Sequence, residues 1–332
     1  MPDPIVGAIL AAGKGDRILP LSASYPKPLL PVCNKPVIQY QLEYMRDLGI
    51  TEAFLVVGHL KDAMRQAFGE GEGLGMTLHY LEQESQLGIA HAVGKLEKHI
   101  STPFLLFLGD IFIVPDRLER MVEQFHRHDA GAVLAVREDT PEAIRRNFSV
   151  RLATRPDGSL DPGGRVVRVI EKPRYVNNPL KGCGIYLFDV TIFDAIRRTP
   201  RTALRDEYEL TEAIQIFIDD GAPVYTAPVV AVDMNLTVPE DMLRVNAAEL
   251  ARQGRDACVH ETSLIPEDCV LERAVIGAGV SIPPEVQLIR DTVVFAGSTL
   301  QPVPAVETSL ITPEYELHFD GYVAPLSAQA RG

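Results

Sequence analysis

Through about the first 250 residues, short continuous apolar runs alternate with segments whose apolar positions recur at helical spacing. Residues 5–12, 53–57 and 104–108 are unbroken apolar runs, the pattern of strands buried on both faces. Residues 132–136 and 229–232 repeat that pattern, and 76–81 alternates. Apolar residues at 37, 38, 42, 45 and 48 predict a helix that Gly49 closes. Further helices are predicted over 61–68, 88–96, 118–125, 209–218 and 239–250. Strand signals crowd residues 148–188, including 166–170 and 184–188. Strands alternating with helices predict an α/β domain with a mainly parallel sheet. In such a sheet the ligand lies beyond the carboxyl ends of the strands.

From residue 258 the period changes. Leu264, Val270, Ile276, Ile282, Leu288, Val294, Leu300 and Val306 follow one another at intervals of six. That is the hexapeptide spacing of a left-handed parallel β-helix. A run this short makes roughly three coils and buries little alone, so it should pack on the main domain or on another subunit. The expected division is therefore 1–252 and 253–332, with the tail serving homo-oligomer contacts or allostery.

Composition narrows the partners. The chain has 332 residues, 46% hydrophobic and 23% charged, ordinary for a globular protein of one or two domains. A net charge of −13 argues against nucleic acid or an anionic membrane as partner, because both need basic patches. No apolar run reaches the roughly 18 residues that span a bilayer. The N-terminus reads as a core strand without a basic leader, so no signal peptide is expected. Cys33, Cys183, Cys258 and Cys269 are scattered without metal-binding spacing, and are expected to be reduced thiols of a cytoplasmic protein.

The chemistry concentrates after the first strand, in AAGKGDRILPLS and PKPLLPVCNKP. Small residues let backbone N–H groups approach an anion, and Arg17 and Lys27 add positive charge, so the stretch reads as a phosphate cradle. It resembles the signature of the sugar-1-phosphate nucleotidylyltransferases, roughly A-G-x-G-T-R-L-x-P-L-T followed by P-K-P-x-x-P-V-x-x-x-P. The chain departs at Asp16, where the family usually has Thr, and at Ile18 for Leu. The resemblance covers about residues 4–250. It implies a Rossmann-like, mainly parallel mixed sheet flanked by helices. It also implies that Leu10, Ala12, Gly13, Gly15 and Asp16 line the nucleotide, while Arg17 and Lys27 act on its phosphates.

Four further constellations follow in order. Asp110 in Leu108-Gly109-Asp110 leaves a buried strand at a Gly turn, where spacing alone also fits a turn residue or helix cap. Asp233 likewise follows a strand and precedes a helix, for which Thr237 can act as cap. By resemblance to the family's L-G-D and D-x-x-T-P-E-D patterns, the second with one residue inserted here, the two carboxylates hold Mg²⁺. Gln83 is by itself a polar loop residue. With Leu87-Gly88-Ile89-Ala90-His91-Ala92 it resembles the family's base-recognition loop, which implies that Gln83 and Gly88 read thymine or uracil. His91 is expected to be structural.

Glu171-Lys172-Pro173 reads unaided as a surface ion pair at a strand end. By resemblance to the family's E-K-P, Glu171 bonds sugar hydroxyls and Lys172 the sugar phosphate. Gly184 and Tyr186 match the strand beside the sugar, and Arg205 matches an Arg on the sugar phosphate. Ser149 stands where many members have Gly, narrowing the backbone approach to the sugar.

The implied reaction joins dTTP or UTP to a sugar 1-phosphate, glucose 1-phosphate foremost, giving NDP-sugar and pyrophosphate. Arg17, Lys27, Lys172 and Mg²⁺ would offset the repulsion between the two anions. Two rivals stand beside it. One is a catalytically silent, sugar-nucleotide-binding regulator, suggested by Asp16 and Ser149. The other is acyl transfer by the tail, for which His260 and His318 are poorly placed at or beyond the ends of the hexad run.

Overall fold

The structure is a computed structural model that describes residues 4–202 and 206–322. The apolar runs become the centre of a sheet of nine strands among the described residues. In spatial order it runs Val166–Glu171, Phe148–Leu152, Leu180–Phe188, Phe104–Leu108, Val6–Ala11, Glu52–Val57, Thr77–Glu82. Ala132–Glu138 pairs with Leu180–Phe188 and carries Val224–Ala227 on its other side. The Val6–Ala11 strand is parallel to both neighbours, Glu52–Val57 and Phe104–Leu108. Leu180–Phe188 is antiparallel to Phe104–Leu108 and to Ala132–Glu138, so the sheet is mixed. A core of buried aliphatic and aromatic side chains, including Phe104, Phe188 and Phe193, packs against it.

The predicted helices form with small shifts, as Val37–Asp47, Lys61–Phe68, Ile89–Gly94, Glu119–Arg127, Leu210–Asp219 and Asp241–Arg252. Thr237 does not cap the last of these. Instead the Asp241 carboxylate accepts the Thr237 and Val238 N–H groups, at 2.8 and 2.9 Å. Pro141–Arg146, Ile192–Arg198 and the strand Ile111–Pro115 have no counterpart in the sequence reading.

The tail is a parallel ladder of Ala257–Val259, Val270–Ile276, Leu288–Val294 and Ser309–Ile311, with Ala305–Glu307 beside Leu288–Val294 and Glu316–His318 closing it antiparallel to Ser309–Ile311. Val270 pairs with Leu288 and Ile276 with Val294, so one coil takes 288 − 270 = 18 residues, three hexads. This is compatible with a short β-helix. Ile276, Ile282, Val294, Leu300 and Val306 fill its interior. Leu264 and Val270 are 69% and 52% exposed, because they lie in the first coil, with little stacked ahead of them.

By compactness the chain groups into Met1–Lys14 with Ile38–Asp233, and Gly15–Val37 with Met234–Gly332. In the second group the signature loop is fixed by the last helix and the tail. Asn246, 1% exposed, accepts the Cys33 N–H at 2.7 Å and donates to the Pro31 carbonyl at 3.2 Å. Asn34 donates to the Ile276 carbonyl at 2.8 Å. The Cys33 and Cys258 thiols, far apart in sequence, hydrogen-bond each other. That bond holds the Cys258 thiol down to about 6 and pushes Cys33 up.

Candidate active site

The first strand ends at Ala11, and its continuation supplies Ala12, Gly13 and Lys14. A Cβ at Gly13 would meet nothing within 4 Å, so the fold leaves open space there. Gln86 donates to the Ala12 carbonyl at 2.5 Å, and the Gly109 N–H donates to the Leu10 carbonyl at 2.9 Å. The turn after strand one is thus tied to the base-loop candidate and to the Asp110 turn.

Gln83 is 5% exposed, and its backbone N–H donates to the Val57 carbonyl at 2.8 Å. Its Nε2 donates to His91 Nδ1 at 2.9 Å. Burial, then the nearby Lys95, lowers His91 from the ordinary imidazole value of 6.5, so at neutral pH the ring is neutral and Nδ1 accepts. His91 therefore orients the Gln83 amide. Removing one neutral hydrogen bond costs about 1 kcal/mol, roughly a factor of five. His91→Ala is expected to raise the nucleotide KM about fivefold with little change in kcat. In the wild type KM should also rise as pH falls below 6.5 and protonation fills Nδ1; a pH-independent KM would contradict this.

At the end of Phe104–Leu108, Asp110 is exposed. Gln41, fully buried, donates to the carbonyls of Leu108 and Ile111 at 2.9 and 3.0 Å and so fixes the turn that presents Asp110. Neither Gln41 nor Gln86 was legible in advance, since one polar residue in a helix or loop carries no pattern.

On the antiparallel side, Ser149 is 4% exposed and lies opposite Ile170 and Lys181. Glu171 ends its strand and accepts from Thr211 Oγ1 at 3.4 Å. Lys172 has φ 41°, its N–H donates to the Asn147 carbonyl at 2.7 Å, and its ammonium stands 3.8 Å from Glu171. The bend at Lys172 lets both side chains serve one region although they are neighbours on the chain. Gly184 has φ 69° where the register of Leu180–Phe188 slips, and a Cβ there would press on Ile111. Tyr186 departs from expectation. It is 3% exposed and stacks between Phe148 and Phe188, and burial with the field of Glu171 drives its hydroxyl pKa up. It is a core side chain. Arg205 lies outside the described residues.

Asp233 also departs from expectation. Its side chain is 3% exposed, with both oxygens facing Lys181 Nζ, at 3.0 Å from Oδ1 and 2.9 Å from Oδ2. Arg137 Nη1 is 3.3 Å from Oδ1. Lys181 also reaches Asp139 Oδ2 at 2.6 Å. Burial pulls the Lys181 ammonium down, but the Asp139 hydrogen bond and the Asp233 field outweigh it and hold the group charged. Asp139 is correspondingly held below the usual carboxylate range: burial pushes it up, but the hydrogen bonds from Lys181 and the Thr140 N–H, with the fields of Lys181 and Arg137, together outweigh it. Among the described residues no group of three or more His, Cys, Asp or Glu side chains is arranged for a metal. A divalent ion arriving with phosphates fits the exposed Asp110; Asp233, already neutralised, does not fit.

In the second compact group, Gly15 takes the left-handed conformation at φ 73°, and its carbonyl accepts from Ser22 Oγ at 2.8 Å and from the Ile18 N–H at 2.9 Å. The cradle loop is therefore a 3-10 turn, Asp16–Ile18, with Asp16 and Arg17 exposed. Lys27 is 6% exposed, and its stem lies 3.0 Å from where a Gly15 Cβ would stand.

A small-residue turn, an oriented amide and an exposed carboxylate at the carboxyl ends of parallel strands define an α/β nucleotide-binding protein built for phosphate chemistry. No helix among the described residues is long and apolar enough to cross a membrane. The nucleotidyl transferase family profile matches residues 6–231, and the chain belongs to that family. Members generally use a divalent metal.

Among curated relatives, glucose-1-phosphate thymidylyltransferase of Streptomyces griseus is 32% identical over 336 residues, covering 91% of this chain and 90% of that protein. UTP–glucose-1-phosphate uridylyltransferase AglF of Haloferax volcanii is 32% identical over 234 residues, covering 70% of this chain and 91% of AglF. A solved UDP-glucose pyrophosphorylase complexed with UDP-glucose superposes with a TM-score of 0.66 at 20% identity. It covers 75% of this chain and 100% of its own, a likeness of fold.

Proposed function

We propose that the protein transfers a nucleotidyl group from dTTP or UTP to a sugar 1-phosphate, glucose 1-phosphate foremost, and releases pyrophosphate. The tie between Gln86 and the Ala12 carbonyl carries this reading, because it joins the loop that follows the oriented Gln83 amide to the turn that contains the open Gly13. A base and its phosphates need those two features together. The names of the relatives, thymidylyl- and uridylyltransferases, supply the choice of base and sugar.

The chemistry needs little from the protein beyond position and charge. With a second pKa near 6, the sugar phosphate is already a dianionic nucleophile at neutral pH. Its oxygen attacks the α-phosphorus, the bond to the bridging oxygen breaks, and pyrophosphate leaves with the electron pair. Arg17 and Lys27 are assigned to the triphosphate and the leaving group. Lys172 and Glu171 are assigned to the sugar phosphate and sugar hydroxyls, with Ser149 and Gly184 shaping the wall. Mg²⁺ is the proposed ion, held at Asp110, and when bound it supplies positive charge to the phosphates. A matrix of NTPs against sugar 1-phosphates, read by pyrophosphate release, tests the reading. Release with dTTP or UTP and glucose 1-phosphate is expected, and release with none of the pairs would refute it.

The neutralised Asp233 favours a second reading, a silent paralogue that binds sugar nucleotides and regulates a partner. Its mark in the same matrix would be saturable binding without pyrophosphate.

The boundary near residue 252 is retained as the proposed end of the nucleotidyltransferase module. The tail is assigned to homo-oligomer contacts, supported by the exposed Leu264 and Val270. Leu264→Glu is expected to shift the molar mass from light scattering to that of one chain. A wild type that is already a monomer would refute the assignment.

A further inference from the structure

Lys181 interrupts the apolar run that enters Leu180–Phe188, and it stands opposite Arg137 on one neighbouring strand and Ser149 on the other. Its side chain is 4% exposed, and a lysine is rarely buried so far unless paired. Its three N–H donors meet three carboxylate oxygens, Asp139 Oδ2 at 2.6 Å, Asp233 Oδ2 at 2.9 Å and Asp233 Oδ1 at 3.0 Å. Arg137 closes the cluster. Its Nη1 donates to the Ala231 carbonyl at 3.0 Å and to Asp233 Oδ1 at 3.3 Å, and its Nε lies 3.5 Å from Asp139 Oδ2. Two carboxylates thus face two cations, and the cluster is neutral without any added ion.

A divalent ion bound directly to Asp233 would sit roughly 2.1 Å from an oxygen, in near-octahedral geometry. Both oxygens already point at the ammonium, so the ion would share one carboxylate with Lys181 and Arg137. Three like charges at one buried carboxylate repel strongly.

We propose that Lys181 is the resident cation of Asp233. Its ammonium stands at that carboxylate in place of a divalent ion, and Asp110 is the protein ligand that remains for the metal. A tethered single charge replaces an exchangeable double one. The consequence for catalysis rests on the function proposed above, but the test does not.

Mn²⁺ binding to the full-length protein, read by the loss of free Mn²⁺ signal in electron paramagnetic resonance, decides the matter without substrate. A protein that never releases pyrophosphate still gives an answer. Asp233→Asn keeps an oxygen for Lys181 and is expected to bind Mn²⁺ within twofold of wild type. Lys181→Met uncovers Asp139 and Asp233 and is expected to bind Mn²⁺ at least tenfold more tightly, a gain that Asp233→Asn removes in the double variant. A tenfold or greater loss in Asp233→Asn alone would overturn the proposal. So would unchanged affinity in a Lys181→Met protein whose circular dichroism matches wild type. If Lys181→Met fails to fold, Asp233→Asn decides alone.

Discussion

Arg17→Ala is expected to lower kcat at least about a hundredfold, the scale of losing one group that stabilises developing charge. Arg17 is exposed on the 3-10 turn after Gly15, and no ion pair among the described residues engages its guanidinium. Its removal leaves no buried partner stranded, so Tm should stay within about 2 °C of wild type. Negative charge grows on the departing pyrophosphate as the transition state forms, so the contact strengthens there and the loss falls on kcat more than on KM. Arg17→Lys keeps the charge but not the two-pronged geometry, and should lie between the two. Steady-state kinetics with dTTP and UTP check this. Turnover near wild type in Arg17→Ala would remove Arg17 from the site.

Gly88→Ala is expected to cost about 3 kcal/mol of stability, combining backbone strain with overpacking. Gly88 has φ 110° and ψ 172°, a region that residues with a Cβ avoid. An added Cβ would also lie 2.5 Å from the Tyr208 carbonyl oxygen and 2.6 Å from its nitrogen. That backbone cannot swing aside freely. The Tyr208 N–H donates to the Leu87 carbonyl at 2.7 Å, and the Ala90 N–H donates to the Tyr208 carbonyl at 2.9 Å. At this chain length the loss corresponds to a fall in Tm of about 4 °C, with nucleotide affinity lost as the loop moves. Gly13→Ala is the contrast. With open space around it, it should leave Tm unchanged and raise the nucleotide KM, because there the ligand, not the fold, needs the missing Cβ. Equal Tm values for the two variants would contradict the geometry at Gly88.

How much of this was legible in the sequence depends on the length of the signal. Val6–Ala11 and Phe104–Leu108 were plain because five or six apolar residues in a row have few other folds available. The hexads of the tail were plain because eight apolar residues follow one another at a spacing of six. Pro141–Arg146 and Ile192–Arg198 are too short to show a helical period above noise. Tyr186 matched a motif, yet the stack of Phe148 and Phe188 claims its ring. Gln41 and Gln86 act on carbonyls 67 and 74 positions away in the chain. Lys181 was the least legible. Within Leu-Lys-Gly-Cys it reads as one solvated charge, and its partners Asp139 and Asp233 meet it only once the strands are paired.

The most direct measurement follows the two ends of the nucleotide separately. The protein is incubated with glucose 1-phosphate, Mg²⁺ and UTP or dTTP carrying ³²P at either the α or the γ position. Attack at the α-phosphorus predicts that the α label appears in the NDP-sugar and the γ label in pyrophosphate. Transfer of the γ label to the sugar, or retention of both labels in intact nucleotide across the sugar panel, would contradict nucleotidyl transfer.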